Sequence, residues 1–139
     1  MLRMIVSPGI MFVASMWLSA PSALAETPEG VLNALKAEAS GAPGFQEFSA
    51  ARGERFYNTK HGGEWSCASC HTDNPATRGK HAKSDKIVKP LAPSANAERF
   101  TDMKKVEKWF RRNCNDVLDR VCTAQEKGDV LAYLLTIQK

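Results

Sequence analysis

The sequence predicts an all-α domain with a long loop around its centre. Two observations carry this. Segments near both ends combine helix caps with helical apolar spacing, while the stretch between them is rich in Gly, Pro, Ser and Lys and lacks sustained period-2 alternation. The size and composition, 139 residues with 43% hydrophobic and 24% charged, fit one small globular domain.

The domain starts after residue 25. Arg3 is the only charge before Glu26, the apolar run Ile10 to Leu18 is too short to span a bilayer, and "ALA" at Ala23 to Ala25 offers an A-x-A cleavage site. Residues 1–25 therefore read as an export signal cleaved after Ala25, and residues 26–139 as the mature domain, placed in an oxidising periplasm. A chain of that size is marginal for an unaided core, which suggests help from a cofactor or a cross-link.

A first helix is expected over Pro28–Ser40, with Thr27 as N-cap, Pro28 in the first turn and Gly41 as the stop. A second is expected over Phe45–Tyr57, its inner face less clearly marked. The loop that follows is long enough to be functional or to wrap something. A third helix starts near Thr101 or Asp102. The fourth follows "TAQE", where Thr123 and Glu126 form a capping box, and Val130, Tyr133, Leu134 and Ile137 make a core stripe. The formal net charge of +4 is too slight to argue for nucleic acid, and Lys and Arg are scattered along the chain. A weakly positive face toward an acidic protein partner is what that balance supports.

The loop contains "CASCH", Cys67 to His71, which matches the C-x-x-C-H attachment signature of c-type haem. Two thiols one helical turn apart can add to the two vinyl groups on one edge of a porphyrin, and the histidine that follows is carried under the iron. A thioredoxin-like pair would need a βαβ context, and a zinc site a second ligand pair at matching spacing. One covalently attached haem c is thus the expected cofactor, with His71 as proximal ligand. A ligating histidine donates its other ring N–H to an acceptor, and the Pro90 carbonyl in "KPLAP" is the preferred candidate.

Cys114 and Cys122 remain, an even remainder in an exported protein, so a disulfide is the default. In one continuous helix they would stand about 12 Å apart, so the chain must turn within "NDVLDRV". Met103, Val106, Phe110 and Asn113 share one face of the third helix, with Trp109 beside them as a further haem contact. Met103 and Asn113 are both candidate iron ligands and lie about 15 Å apart, so only one can sit over the haem. A thioether would make an ordinary electron carrier, but a methionine on an apolar face is commonly core filling. A buried amide without partners is costly, and an iron bond would remove that cost. His61 and His81 are the other candidate ligands, but both lie among Lys and Gly in loop sequence and are expected to be solvated. On these grounds Met103 and Asn113 stand close to even.

"GERFY", "CASCH", a Pro-Leu pair and "DVLAYLL" together resemble the class I cytochrome c layout, which implies that Gly53 and Tyr57 meet Tyr133 where the terminal helices cross. "LAPS", "RFTD", "VEKW" and "RNCN", with "CASCH", resemble the sphaeroides haem protein family of small periplasmic cytochromes c. The resemblance implies a helical domain wrapped around one haem, Asn113 as a sixth ligand that leaves on reduction, and a disulfide between Cys114 and Cys122. It further implies that the vacated position binds dioxygen or nitric oxide, and that a diheme cytochrome c is the electron donor.

Overall fold

The computed structural model describes residues 26–138, so the expected export signal lies outside the described residues. Five helices and one short hairpin follow in order: α1 (Pro28–Ala39), α2 (Ala50–Asn58), α3 (Cys67–His71), β1 (Gly79–Lys80), β2 (Ile87–Val88), α4 (Met103–Leu118) and α5 (Ala124–Thr136). Among the described residues no helix is long and apolar enough to cross a membrane.

Helix α1 begins as its sequence demands, with the Thr27 side chain accepting from Gly30 N–H and proline in the first turn. The capping box of α5 is formed by Thr123 and Glu126. Asp102 caps α4 by accepting from Lys105 N–H, and the Glu26 carboxylate accepts from Met103 N–H at 2.5 Å. The second helix is shorter than expected. It starts at Ala50 because Ser49 is its N-cap, while Ser49 N–H donates to Asp129 Oδ1 at 2.7 Å and holds Phe45–Phe48 outside the helix.

Helices α2 and α5 cross in close contact at Gly53, where any Cβ would collide with the Asp129 carbonyl. Gly53 therefore meets the Asp129–Val130 backbone rather than Tyr133. Tyr57, one turn on, does reach Tyr133, with ring centroids 5.5 Å apart. One apolar cluster joins Val31, Leu35, Val106 and Leu131 of α1, α4 and α5. A second joins Tyr57, Val130, Tyr133 and Leu134, and packs against Cys67, Ala68 and Leu91. Phe100 and Phe110 touch both. Removing these apolar groups from water supplies the main driving force for assembly.

Two buried charges on α5 are paired. Asp129 holds Arg52 through Nε at 2.8 Å and Nη2 at 2.9 Å, which pins α2 to α5. Lys127 reaches Glu107 of α4 at 2.8 Å and Glu38 of α1 at 3.4 Å. Buried ions are tolerated in this form, with their hydrogen-bonding capacity satisfied.

Candidate haem site

Helix α3 is a single turn whose start is fixed reciprocally. The Ser66 hydroxyl accepts from Ser69 N–H, and Ser69 Oγ accepts from Ser66 N–H at 2.9 Å. Its end is fixed by Thr72, which turns at φ 63° and whose carbonyl accepts from the buried Tyr57 hydroxyl at 2.8 Å. The hairpin presses on the same turn from outside. Any Cβ at Gly79 would collide with the Cys70 carbonyl, and Ala82 N–H points at Cys70 Sγ at 3.4 Å. "CASCH" is thus clamped at both ends and along one side.

Cys67 and Cys70 are not joined to each other. Burial pushes the Cys67 thiol up to about 11, so it stays protonated at neutral pH. Burial, with the Arg99 and His81 charges, holds His71 down at about 4, so the imidazole is neutral and keeps a lone pair to donate. His71 Nδ1 is the one buried side-chain polar atom without a hydrogen bond among the described residues. Such an orphan in a well-satisfied interior marks a functional position. Two unjoined thiols on one fixed turn followed by a neutral imidazole fit a covalently attached haem: Cys67 and Cys70 would hold the porphyrin edge and His71 the iron.

The Pro90 carbonyl, the acceptor expected for His71, instead receives Arg99 Nε at 2.9 Å and Asn96 Nδ2 at 3.3 Å. The adjoining Leu91 and Ala92 N–H groups both donate to the Pro75 carbonyl, which folds "KPLAP" back toward α3. His61 and His81 are half-buried rather than solvated. His61 Nε2 contacts the Phe56 carbonyl at 2.8 Å, and His81 Nδ1 receives Lys83 N–H at 3.3 Å.

The two candidate ligands on α4 are treated differently by the fold. Met103 packs into the α1–α4–α5 cluster beside Phe100 and Phe110. Asn113 lies one turn beyond Phe110 on the same face, and its side chain is exposed, so the expected buried amide is not what the chain presents. Among the described residues no group hydrogen-bonds to that amide. Trp109, four residues earlier, is 45% exposed. Cys114 and Cys122 are disulfide-bonded with Cα atoms 5.7 Å apart. Helix α4 runs on from Cys114 to Leu118 and reverses at Asp119, which adopts φ 54°, the break that the pairing required.

Sequence reasoning missed Tyr57 as the clamp on Thr72, Gly79 as the close approach to α3, and Arg99 as the partner of Pro90. A glycine two residues before a lysine-rich turn carries no signature of its own. Arg99 stands in "RF", where nothing local marks a distant carbonyl partner.

Comparison with known proteins agrees with this geometry. Residues 43–134 match the family described as a domain of unknown function, DUF1924. The chain is 46% identical over 101 residues to cytochrome c'' of Methylophilus methylotrophus, covering 70% of each chain. It is 41% identical over 125 residues to the cytochrome c-type protein SHP of Cereibacter sphaeroides, covering 88% of this chain and 94% of that one. Oxidised cytochrome c'' superposes with a TM-score of 0.70 at 42% identity, over 81% of this chain and 95% of that chain. Oxidised SHP, an oxygen-binding cytochrome c, superposes with a TM-score of 0.69 at 38% identity, over 81% and 98%. The chain belongs to the family of small c-type cytochromes that includes cytochrome c'' and the sphaeroides haem protein, with haem c as its covalently bound cofactor.

Proposed function

We propose that the mature domain, residues 26–139, is a periplasmic electron-transfer protein with a labile sixth ligand, Asn113. It accepts one electron from a partner cytochrome and then takes up a diatomic ligand, dioxygen or nitric oxide. Haem c supplies the one-electron couple and the iron position at which a diatomic can bind. The chain supplies the rest. Cys67 and Cys70 hold the group on a turn fixed by Ser66, Ser69 and Tyr57. His71, neutral and half-buried, would hold the iron, and Asn113 would offer it an amide oxygen, with Trp109 one turn earlier on α4. A diheme cytochrome c as electron donor and export through residues 1–25 belong to the same proposal.

The observation that carries it is the contrast on one face of α4: Met103 is engaged in the core, whereas the Asn113 amide is exposed and unpartnered among the described residues. An amide oxygen is a hard, weak ligand, better matched to ferric than to ferrous iron, so its bond should loosen on reduction. The oxygen-binding character of SHP points the same way.

Absorption spectra and carbon monoxide titration of the ferric and ferrous protein test this. The ferrous protein should be high-spin and take up carbon monoxide stoichiometrically. Met103→Leu, which conserves volume, should change little, and Asn113→Ala should open the ferric protein to cyanide. A low-spin ferrous protein that resists carbon monoxide until Met103 is replaced would make it an ordinary carrier with permanent His71/Met103 ligation.

A further inference from the structure

Lys and Arg are scattered in the sequence, but α4 gathers five of them. At 100° per residue, Arg111, Lys104, Lys108, Arg112 and Lys105 fall in that order around an arc of about 120°. All five are exposed. Lys105 pairs with Asp102 at 3.4 Å, and among the described residues the other four have no acidic partner. The acidic residues of the helix do not offset them. Glu107 turns inward to Lys127, and Asp116 pairs with Lys83 at 3.0 Å. Four exposed cations without an acidic partner thus share one helical face, in a chain whose formal net charge is only +4. The border of the arc is Trp109, with Lys108 Nζ 5.7 Å and Arg112 Cζ 5.6 Å from its ring. Asn113 follows Trp109 at the next step around the helix.

We propose that the basic arc of α4 is the docking surface for an acidic electron-transfer protein, a reading that rests on the electron-transfer function above. Charge complementarity identifies the occupant. The arc is about 12 Å long from Lys104 to Arg112, a compact patch rather than a groove, and has a single aromatic, so it lacks the interleaved stacking platforms of a nucleic-acid surface. It also lacks a neighbouring exposed apolar stripe for insertion into lipid, because Val106 is buried and Phe110 packs against both core clusters. A patch of one sign steers an oppositely charged protein to contact and fixes its orientation. The partner then meets the helix that carries Asn113.

Stopped-flow reduction of the ferric holoprotein at low ionic strength tests this with two reductants: the hydroquinone of an acidic flavodoxin and the uncharged small molecule reduced lumiflavin. Lys104→Glu/Lys108→Glu should slow flavodoxin about tenfold or more and leave lumiflavin unchanged. Lys104→Gln/Lys108→Gln, which adds no repulsion within the helix, should slow flavodoxin by an intermediate factor. The control pair Lys36→Glu/Lys60→Glu makes the same charge change on α1 and after α2, and should slow flavodoxin less than twofold. Equal slowing by both reversed pairs would mean steering by net charge alone and overturn the proposal, as would no slowing by either. Sedimentation of the wild type, but not the Lys104→Glu/Lys108→Glu variant, with phosphatidylglycerol vesicles would assign the arc to a bilayer and overturn it too. Failure of lumiflavin to reduce the wild type would instead refute the electron-transfer reading itself.

Discussion

Removing the Cys114–Cys122 bond is the sharpest perturbation of the region around Asn113. The bond closes a loop with a sequence separation of 8 residues. In the chain-entropy relation a loop of that length lowers the entropy of the unfolded chain enough to stabilise the fold by about 2.5 kcal/mol at 25 °C. The double variant Cys114→Ala/Cys122→Ala avoids leaving buried hydroxyls without partners, since Cys114 is only 4% exposed and Cys122 9%. With a guanidinium slope of about 4 kcal/mol/M, the unfolding midpoint of the ferric holoprotein should fall by roughly 0.6 M. The melting temperature should fall by about 10 °C. The ferric absorption spectrum should shift in the same variant, because Cys114 anchors the backbone next to Asn113. A midpoint within 0.1 M of wild type would refute the entropic account. A lowered midpoint with an unchanged spectrum would separate the bond from the ligand.

Three further outcomes are expected. Mass spectrometry of Cys67→Ala/Cys70→Ala should find no covalent haem, and undiminished attachment would refute the assignment of the motif. Gly53→Ala should cost at least about 2 kcal/mol in urea unfolding, because its methyl group meets the Asp129 backbone rather than a movable side chain. Burial works against the charged form of Glu126, but hydrogen bonds from Arg120 and Thr123 N–H outweigh it and hold the carboxyl below the usual range. A depressed carboxyl contributes stability above its unfolded value of about 4.3 and loses it as pH falls through the folded value. Glu126→Gln should therefore flatten the acid limb of the stability curve below about pH 4.3.

Cap chemistry made α1 and α5 readable from the sequence almost to the residue, because Thr27-Pro28 and the Thr123/Glu126 box act locally. The α2 boundary was lost because Phe45 and Phe48 look helical, while Ser49 is claimed by Asp129, 80 residues away. Lys127 and Asp129 sit on the buried side of α5 against their residue type, for partners on other helices that no local pattern reveals. The hairpin strands are two residues each, too short for any period to show. "CASCH" was legible because its spacing is set by the cofactor rather than by the fold. The surroundings of Asn113 were not, since helical periodicity put it on the apolar face without saying where that face runs out of protein to cover it.

Phe110 belongs to both apolar clusters, and Cys114 is tied to the chain beyond Asp119. Asn113 is therefore held between an aromatic wedge one turn before it and a covalent tether one residue after it. A sliding or local melting of α4 would have to withdraw Phe110 from two packed environments at once, a slow event on the microsecond scale or beyond. Rotation about the side-chain bonds of Asn113 disturbs neither anchor and takes picoseconds to nanoseconds for an exposed residue. With Asn113 as the proposed ligand, its exchange would be a rotamer event on a stationary helix, and its speed should be independent of the global stability of the fold.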